Sequence, residues 1–438
     1  MRDPVAVVGA GLAGSEAAWQ LATRGIPVQL FEMKPLFRTP AHRTDGFAEL
    51  VCSNSLRGAG LATAPGLLKE ELRRCSSLIM AAADECAVPA GGALAVDRRR
   101  FSDLITARLH AHPLIEICPV RVDMLPEGDA VIATGPLTEG PLAEAIADLL
   151  GAPLHFYDAA APIVAADSVD REQAYFCSRY DKGGADYLNC PLTKEEYTAF
   201  VAALREAREA PVHGFEDKAV FEGCMPAEVM ARRGEDTLRF GPMKPVGLRD
   251  PRTGARPYAV LQLRAEDEKR TMYNLVGFQT HLLHSEQKRV FGLVPALRNA
   301  DFLRYGIMHR NSFIDAPGRL DAFYRVIGRE NLYFAGQITG VEGYIESAAS
   351  GLCCGLDLAR RRLKKAPAEF PRETAVGALR FHVAEGELGS YQPMNINFGI
   401  VAPLPERVRG KRERYLAVSE RALSIIDGLL PILREDIK

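Results

Sequence analysis

The sequence predicts an α/β protein in which a helix-flanked parallel sheet is interrupted by a second, smaller α/β unit. Three observations carry this. Residues 5–32 read as strand, glycine turn, helix and returning strand. Two later apolar runs, 129–135 and 331–336, also end in small-residue turns, as strands of one parallel sheet do at their ligand edge. Between them, from about residue 170 to 299, the texture changes to mixed helix and strand with long polar joins.

Val5 to Val8 is an apolar run of the buried parallel kind, residues 15–24 form a helix, and residues 28–31 form the returning strand. In the turn Gly9-Ala10-Gly11-Leu12-Ala13-Gly14 each glycine has a physical task. Gly9 makes the turn, Gly11 lets the backbone approach a pyrophosphate, and Gly14 lets helix and strand pack closely. The helix start then directs its N–H groups at the phosphates. Glu32, at the end of the second strand, is placed to accept hydrogen bonds from a ribose.

The chain has 438 residues, 47% of them hydrophobic and 25% charged, an ordinary globular composition too long for one simple core. Asp3 and Pro4 before the first apolar run, and Glu16 within the following one, argue against a signal segment, and no stretch reads as membrane-spanning. Nine cysteines without a C-x-x-C argue for reduced cytoplasmic thiols and against a zinc site, a redox dithiol or a secreted disulfide scaffold, so no metal is expected. With a net charge of -2, a nucleic-acid partner needs local basic patches.

Further along, residues 39–46 form a loop that delivers Cys52, and the capping types Ser53, Asn54 and Ser55 place that thiol at a turn or a helix start. Helices are expected over 67–75, 101–110 and 194–206, and strands over 258–263 and 272–278. The strand 129–135 brings Thr134 and Gly135 to the ligand edge. The strand 331–336 brings Gly336 and Gln337, followed by a small-residue helix over 343–355. This second glycine-bearing approach favours FAD over NAD, because a flavin must be gripped along its ribitol and ring as well as its pyrophosphate. The expected architecture is a Rossmann-like FAD-binding domain of the glutathione-reductase type, residues 1–170 and 301–438, with a smaller α/β domain inserted at 171–300. The basic runs 359–365 and 407–414 read either as solvated faces or as phosphate contacts.

Six segments together are similar to one family. They are Gly9-Ala10-Gly11-Leu12-Ala13-Gly14, residues 50–57 around Cys52, Phe221-Glu222-Gly223-Cys224-Met225-Pro226, residues 240–248 around Lys244, residues 277–282 around His281, and residues 340–351 around Tyr344. The family is that of the folate- and FAD-dependent tRNA uracil-5-methyltransferases, TrmFO, formerly Gid. The resemblance implies methylation of C5 of uridine 54 in the tRNA T loop, with 5,10-methylenetetrahydrofolate as carbon donor and NAD(P)H reducing the flavin. A ribosomal RNA target, or a flavin oxidoreductase with a small-molecule substrate, remains as an alternative.

The chemistry fits the residues. Uracil C5 is a weak nucleophile, so a thiolate must add to C6 before an electrophilic carbon is captured. A base for the C5 proton and two electrons must then follow. Cys52 and Cys224 are the expected pair, with Cys224 as nucleophile and Cys52 as base or flavin-side partner, in an assignment that could be reversed. Cys224 precedes Met225-Pro226 and an expected helix over 227–233, whose positive end would favour its thiolate. His281 is the candidate folate contact and Tyr344 packs on flavin or substrate. Arg232, Arg233 and Lys244 are the candidate RNA phosphate contacts.

Overall fold

The computed structural model describes residues 3–39, 41–151, 154, 156–159, 161–181, 184–210, 225–265, 270–306, 308–386, 391 and 393–437. Its first sheet has five parallel strands in the order Leu332–Phe334, Ala130–Ile132, Val5–Val8, Val28–Glu32, Ile115–Pro119. Val5–Val8 is central, and its side chains at 5 and 7 are fully buried. The chain leaves it toward Val28 on one side and later returns at Ala130 on the other, which makes its carboxyl end the topological switch point. In register, Val8 lies opposite Phe31 and Ile132, and Ile132 opposite Phe334, so Gly9, Glu32, Ala133 and Ala335 emerge at one edge.

The helix Leu12–Ala22 follows the glycine turn and packs against the helix Tyr344–Arg362. The small residues of the second helix have a packing reason. A Cβ at Gly351 would lie 2.1 Å from the Ala13 carbonyl oxygen and one at Gly355 2.8 Å from that of Ala17. Two glycines four apart lie on one helical face, and there they let two backbones touch.

The second sheet has six strands, in the order Tyr175–Phe176, Tyr187–Leu192, Ala259–Ala265, Met272–Leu275, Ile163–Ala165, Phe302–Arg304, and pairs antiparallel throughout. Side chains alternate across it. Leu188, Cys190, Leu261, Leu263, Tyr273 and Leu275 join the core beneath the helices Lys194–Glu206, Ala227–Arg233 and His284–Phe291. The first of these helices opens with a capping box, Thr193 Oγ1 accepting from Glu196 N–H at 3.2 Å while Glu196 accepts from Thr193 N–H at 2.8 Å. The opposite face carries Asn189, Gln262, Arg264 and Asn274, all buried as well. Burial of that polar face follows from its docking on the first unit, where Arg264 Nε donates to Asn54 Oδ1 at 3.0 Å and Asn54 Nδ2 to the Ala265 carbonyl at 2.9 Å.

Candidate active site

At the switch point an elongated cleft of about 1290 Å³ runs past Gly9, Ala10, Gly11, Leu12, Ala13, Glu32, Thr134, Gly135, Gly336, Gln337 and Tyr344, with Val120 and Val122 also on its wall. The three glycines of the first turn divide their work by position. Gly9 has φ +98°, and a Cβ there would sit 2.6 Å from the Ala133 carbonyl oxygen. Gly14 faces away from the cleft, where a Cβ would sit 1.8 Å from the Gly9 carbonyl oxygen. At Gly11 a Cβ would meet no atom within 4 Å, so the space beside it is left to a ligand. The helix beginning at Leu12 has no side-chain cap, and its first N–H groups are available to an anion.

Glu32 lies on the cleft wall and also braces the turn from behind. Its Oε2 accepts from Ala10 N–H at 2.9 Å and its Oε1 from Lys34 N–H at 3.1 Å. A carboxylate has about four acceptor sites, so capacity remains for a ribose. Carboxylate, open glycine and uncapped helix start, set along one long cleft, fit a flavin dinucleotide. Replacing Glu32 by Ala is expected to weaken FAD binding roughly 10- to 100-fold, the loss of hydrogen bonds to a charged group. A flavin-fluorescence titration reads this directly, and unchanged affinity would remove Glu32 from the site.

A second cleft, of about 1440 Å³, opens beside the first and shares Val51, Pro136, Leu137, Gln337 and Tyr344 with it. Its walls come from both units: Cys52, Arg57, Glu342 and Glu346 from the first, Arg264, Asn274 and Gln279 from the antiparallel one. Glu346 is held by Arg57 Nη1 at 3.0 Å and by Ile396 N–H at 3.0 Å, and burial pushes its carboxyl above the usual range.

Cys52 stands on this wall, in a bend that leads into the strand Ser55–Gly58 and not into a helix. Of the two settings suggested by Ser53, Asn54 and Ser55, a turn or a helix start, the structure has the turn and no helix begins there: Asn54 spends its amide on the Val96 and Ala265 carbonyls. The bend is held by its backbone. Tyr344 Oη accepts from Cys52 N–H at 2.8 Å and Ser53 N–H at 3.2 Å. Arg98 donates to the carbonyls of Leu50 at 2.6 Å and Cys52 at 3.0 Å, and Arg304 to those of Val51 and Cys52, both at 2.7 Å. Arg264 adds a bond to Ser53 Oγ at 2.5 Å. Burial, with the Cys52 thiol alongside, pushes the Tyr344 phenol far above its usual range, so it stays a neutral hydroxyl. Arg98, Arg264 and Arg304 went unnoticed in the sequence. The available signal was Gln262 and Arg264 alternating with apolar residues in the strand Ala259–Ala265.

Cys224 lies outside the described residues. Three residues on, Ala227 donates to the carbonyl of Gln279 at 2.8 Å, and Gln279 lines the second cleft. His281 is brought to neither cleft. Its ring nitrogens face Glu209 and, at 2.7 Å, Glu228, and its backbone N–H donates to Glu228 at 3.0 Å, so the residues of that segment that reach the second cleft are Gly277 and Gln279. Arg232 pairs with Glu209, and Arg233 and Lys244 are exposed; none of the three lines either cleft. Among the described residues no group of three or more His, Cys, Asp or Glu could hold a metal, and no helix is long and apolar enough to cross a membrane.

The family model for glucose inhibited division protein A matches residues 4–366. The methylenetetrahydrofolate–tRNA-(uracil-5-)-methyltransferase TrmFO of Enterococcus faecalis is 55% identical over 426 residues, covering 97% of this chain and 98% of that protein. Its namesakes from Listeria innocua and Staphylococcus epidermidis are each 56% identical, over 427 and 430 residues, with 97% and 98% of this chain and 98% and 99% of theirs covered. Among solved structures, Aquifex aeolicus GidA in one crystal form superposes with a TM-score of 0.68 at 15% identity, over 99% of this chain and 74% of that one, a likeness of fold.

Proposed function

The chain belongs to the glucose inhibited division protein A family, among its methylenetetrahydrofolate–tRNA-(uracil-5-)-methyltransferases, and from that premise we propose that it methylates C5 of uridine 54 in the T loop of tRNA in the cytoplasm. The carbon comes from 5,10-methylenetetrahydrofolate and the reducing equivalents from NAD(P)H. The observation that carries the reading is the meeting of two clefts at Val51 and Tyr344, with Cys52 next to that junction on the wall of the second. The first fits FAD, held by residues 9–13, Glu32, Thr134, Gly135, Gly336 and Gln337. Bound there, FAD would supply the two electrons that take the transferred carbon from methylene to methyl.

The second cleft receives the uracil and the one-carbon donor. A thiolate adds to C6, forming a C–S bond and moving the electron pair toward C5 and O4. C5 then bonds the one-carbon unit as one carbon–nitrogen bond of the folate opens, and the C5 proton passes to a base while the second carbon–nitrogen bond breaks, which releases tetrahydrofolate and leaves an exocyclic methylene. Two electrons and a proton take that carbon to methyl, and the C–S bond breaks to return the thiolate. Cys224 is assigned the addition and Cys52 the proton. Tyr344, Arg98 and Arg304 keep the Cys52 bend at a fixed place on the wall.

Incubation with unmodified tRNA, methylenetetrahydrofolate labelled in its one-carbon unit and NAD(P)H, followed by nucleoside mapping, is expected to put label in 5-methyluridine at position 54. Label arriving from S-adenosylmethionine and none from folate would overturn the reading.

A further inference from the structure

Two basic runs of the chain fare differently in the fold. In residues 359–365 every cation but Lys364 is spent on a carboxylate: Arg360 on Asp436 at 2.6 Å, Arg361 and Arg362 on Asp129, Lys365 on Glu435 at 2.8 Å and on Asp436. That run is structural. In residues 407–414, five of eight positions are cationic, namely Arg407, Arg409, Lys411, Arg412 and Arg414. All five are exposed, and among the described residues none is paired with a carboxylate. A concentration of unpaired cations on a chain of net charge -2 repels itself unless a polyanion is present.

The same segment is tied to the mouth of the second cleft on two sides. Tyr415 stacks on Phe398 at 4.3 Å between centroids, with Lys411 Nζ 5.7 Å and the Arg414 guanidinium 5.4 Å from the Tyr415 ring. Phe398 follows by three residues Asn395, which lines that cleft and donates to the Glu342 carbonyl at 2.5 Å. Three residues span at most about 10 Å. On the other side, Ser419 Oγ, in the helix Lys411–Arg434, donates to the Leu61 carbonyl at 2.7 Å, four residues beyond Arg57 on the cleft wall.

We propose that residues 407–414 are a phosphate-binding bracket that holds the RNA backbone while the target uridine enters the second cleft. The inference rests on the RNA-methyltransferase reading and deepens it. It moves the principal backbone contact away from Arg232, Arg233 and Lys244, of which Arg232 is already paired. Cations on an exposed segment beside the reaction cleft neutralise phosphates without reading bases, so the contact governs affinity and its salt dependence and leaves the chemical step alone.

The test is tRNA binding by the FAD-loaded full chain across a salt series, with the triple variant Arg409→Gln, Lys411→Gln, Arg412→Gln beside the triple variant Arg232→Gln, Arg233→Gln, Lys244→Gln. The first is expected to bind tRNA roughly tenfold or more weakly and to lower the slope of log affinity against log salt by about two to three, close to one per lost phosphate contact. Flavin content, melting temperature and turnover at saturating tRNA stay as in the wild type. The single variant Arg412→Gln should show about a third of the slope change. Unchanged affinity and slope in the first triple variant would overturn the bracket, as would loss confined to the second, or loss of binding to phosphatidylglycerol vesicles with tRNA binding intact. A wild-type protein that bound no tRNA would overturn the methyltransferase reading as well.

Discussion

Cys52→Ala is expected to lower methyl transfer by roughly 10²- to 10⁴-fold, the usual contribution of a positioned proton-transfer group, while flavin content and NAD(P)H oxidation stay as they are. The bend that carries the thiol is fastened through its backbone, by Tyr344 at two N–H groups and by Arg98 and Arg304 at three carbonyls. Removing Sγ takes none of those bonds away, so the loss is chemical and not a collapse of the wall. RNA carrying 5-fluorouridine separates the two thiols, because fluorine at C5 cannot leave as a proton and the C6 adduct accumulates. With Cys224 as nucleophile the adduct still forms in Cys52→Ala and maps to Cys224. An adduct mapped to Cys52 in the wild type would exchange the roles. One that survived the double alanine variant would end the thiol mechanism.

Gly14→Ala is expected to cost about 3 kcal/mol of stability or more and to leave the protein without flavin. The added Cβ would stand 1.8 Å from the Gly9 carbonyl oxygen, and that atom is backbone inside the turn that cradles the dinucleotide, with no rotamer to swing aside. Helix and strand must part, and Ala10 then leaves Glu32. Gly11→Ala is the matched control. Its Cβ meets nothing within 4 Å, so the apo-protein should melt as the wild type does while flavin is displaced by a methyl group in the phosphate space. Equal melting temperatures for the two apo-variants, or full flavin occupancy in Gly14→Ala, would contradict the division of labour among the glycines.

The parts legible in the sequence are those set by short-range physics. An apolar run, a glycine turn and a helix are neighbours in the chain, and sterics alone make Gly9 and Gly14 necessary, so Val5–Val8 has the expected bounds and the following helix starts only three residues earlier. The helix Lys194–Glu206 appears as its i, i+3, i+4, i+7 face predicts, because burying one stripe of a helix is a local pattern whatever covers it. The site was legible only as far as residue types carry chemistry: Cys52 is on the wall, but the support that holds it is not written nearby.

What the tertiary structure alone decided are contacts between positions far apart in the chain. The strand Ala259–Ala265 alternates polar and apolar residues, and Gln262 and Arg264 are buried because their face docks on the first unit, 210 residues separating Arg264 from Asn54. The small residues of 343–355 read as room for a ligand, and in the fold Gly351 and Gly355 make room for another helix. His281 carries the ring expected on a folate, and two carboxylates from other segments claim it. The two basic runs look alike as strings, and only the chain path gives one of them Asp129, Glu435 and Asp436 as partners while leaving the other open beside the cleft. Spacing along a chain encodes which face a residue takes on its own element. It says nothing of which distant element arrives to cover that face, because that choice is made by the summed burial of whole surfaces.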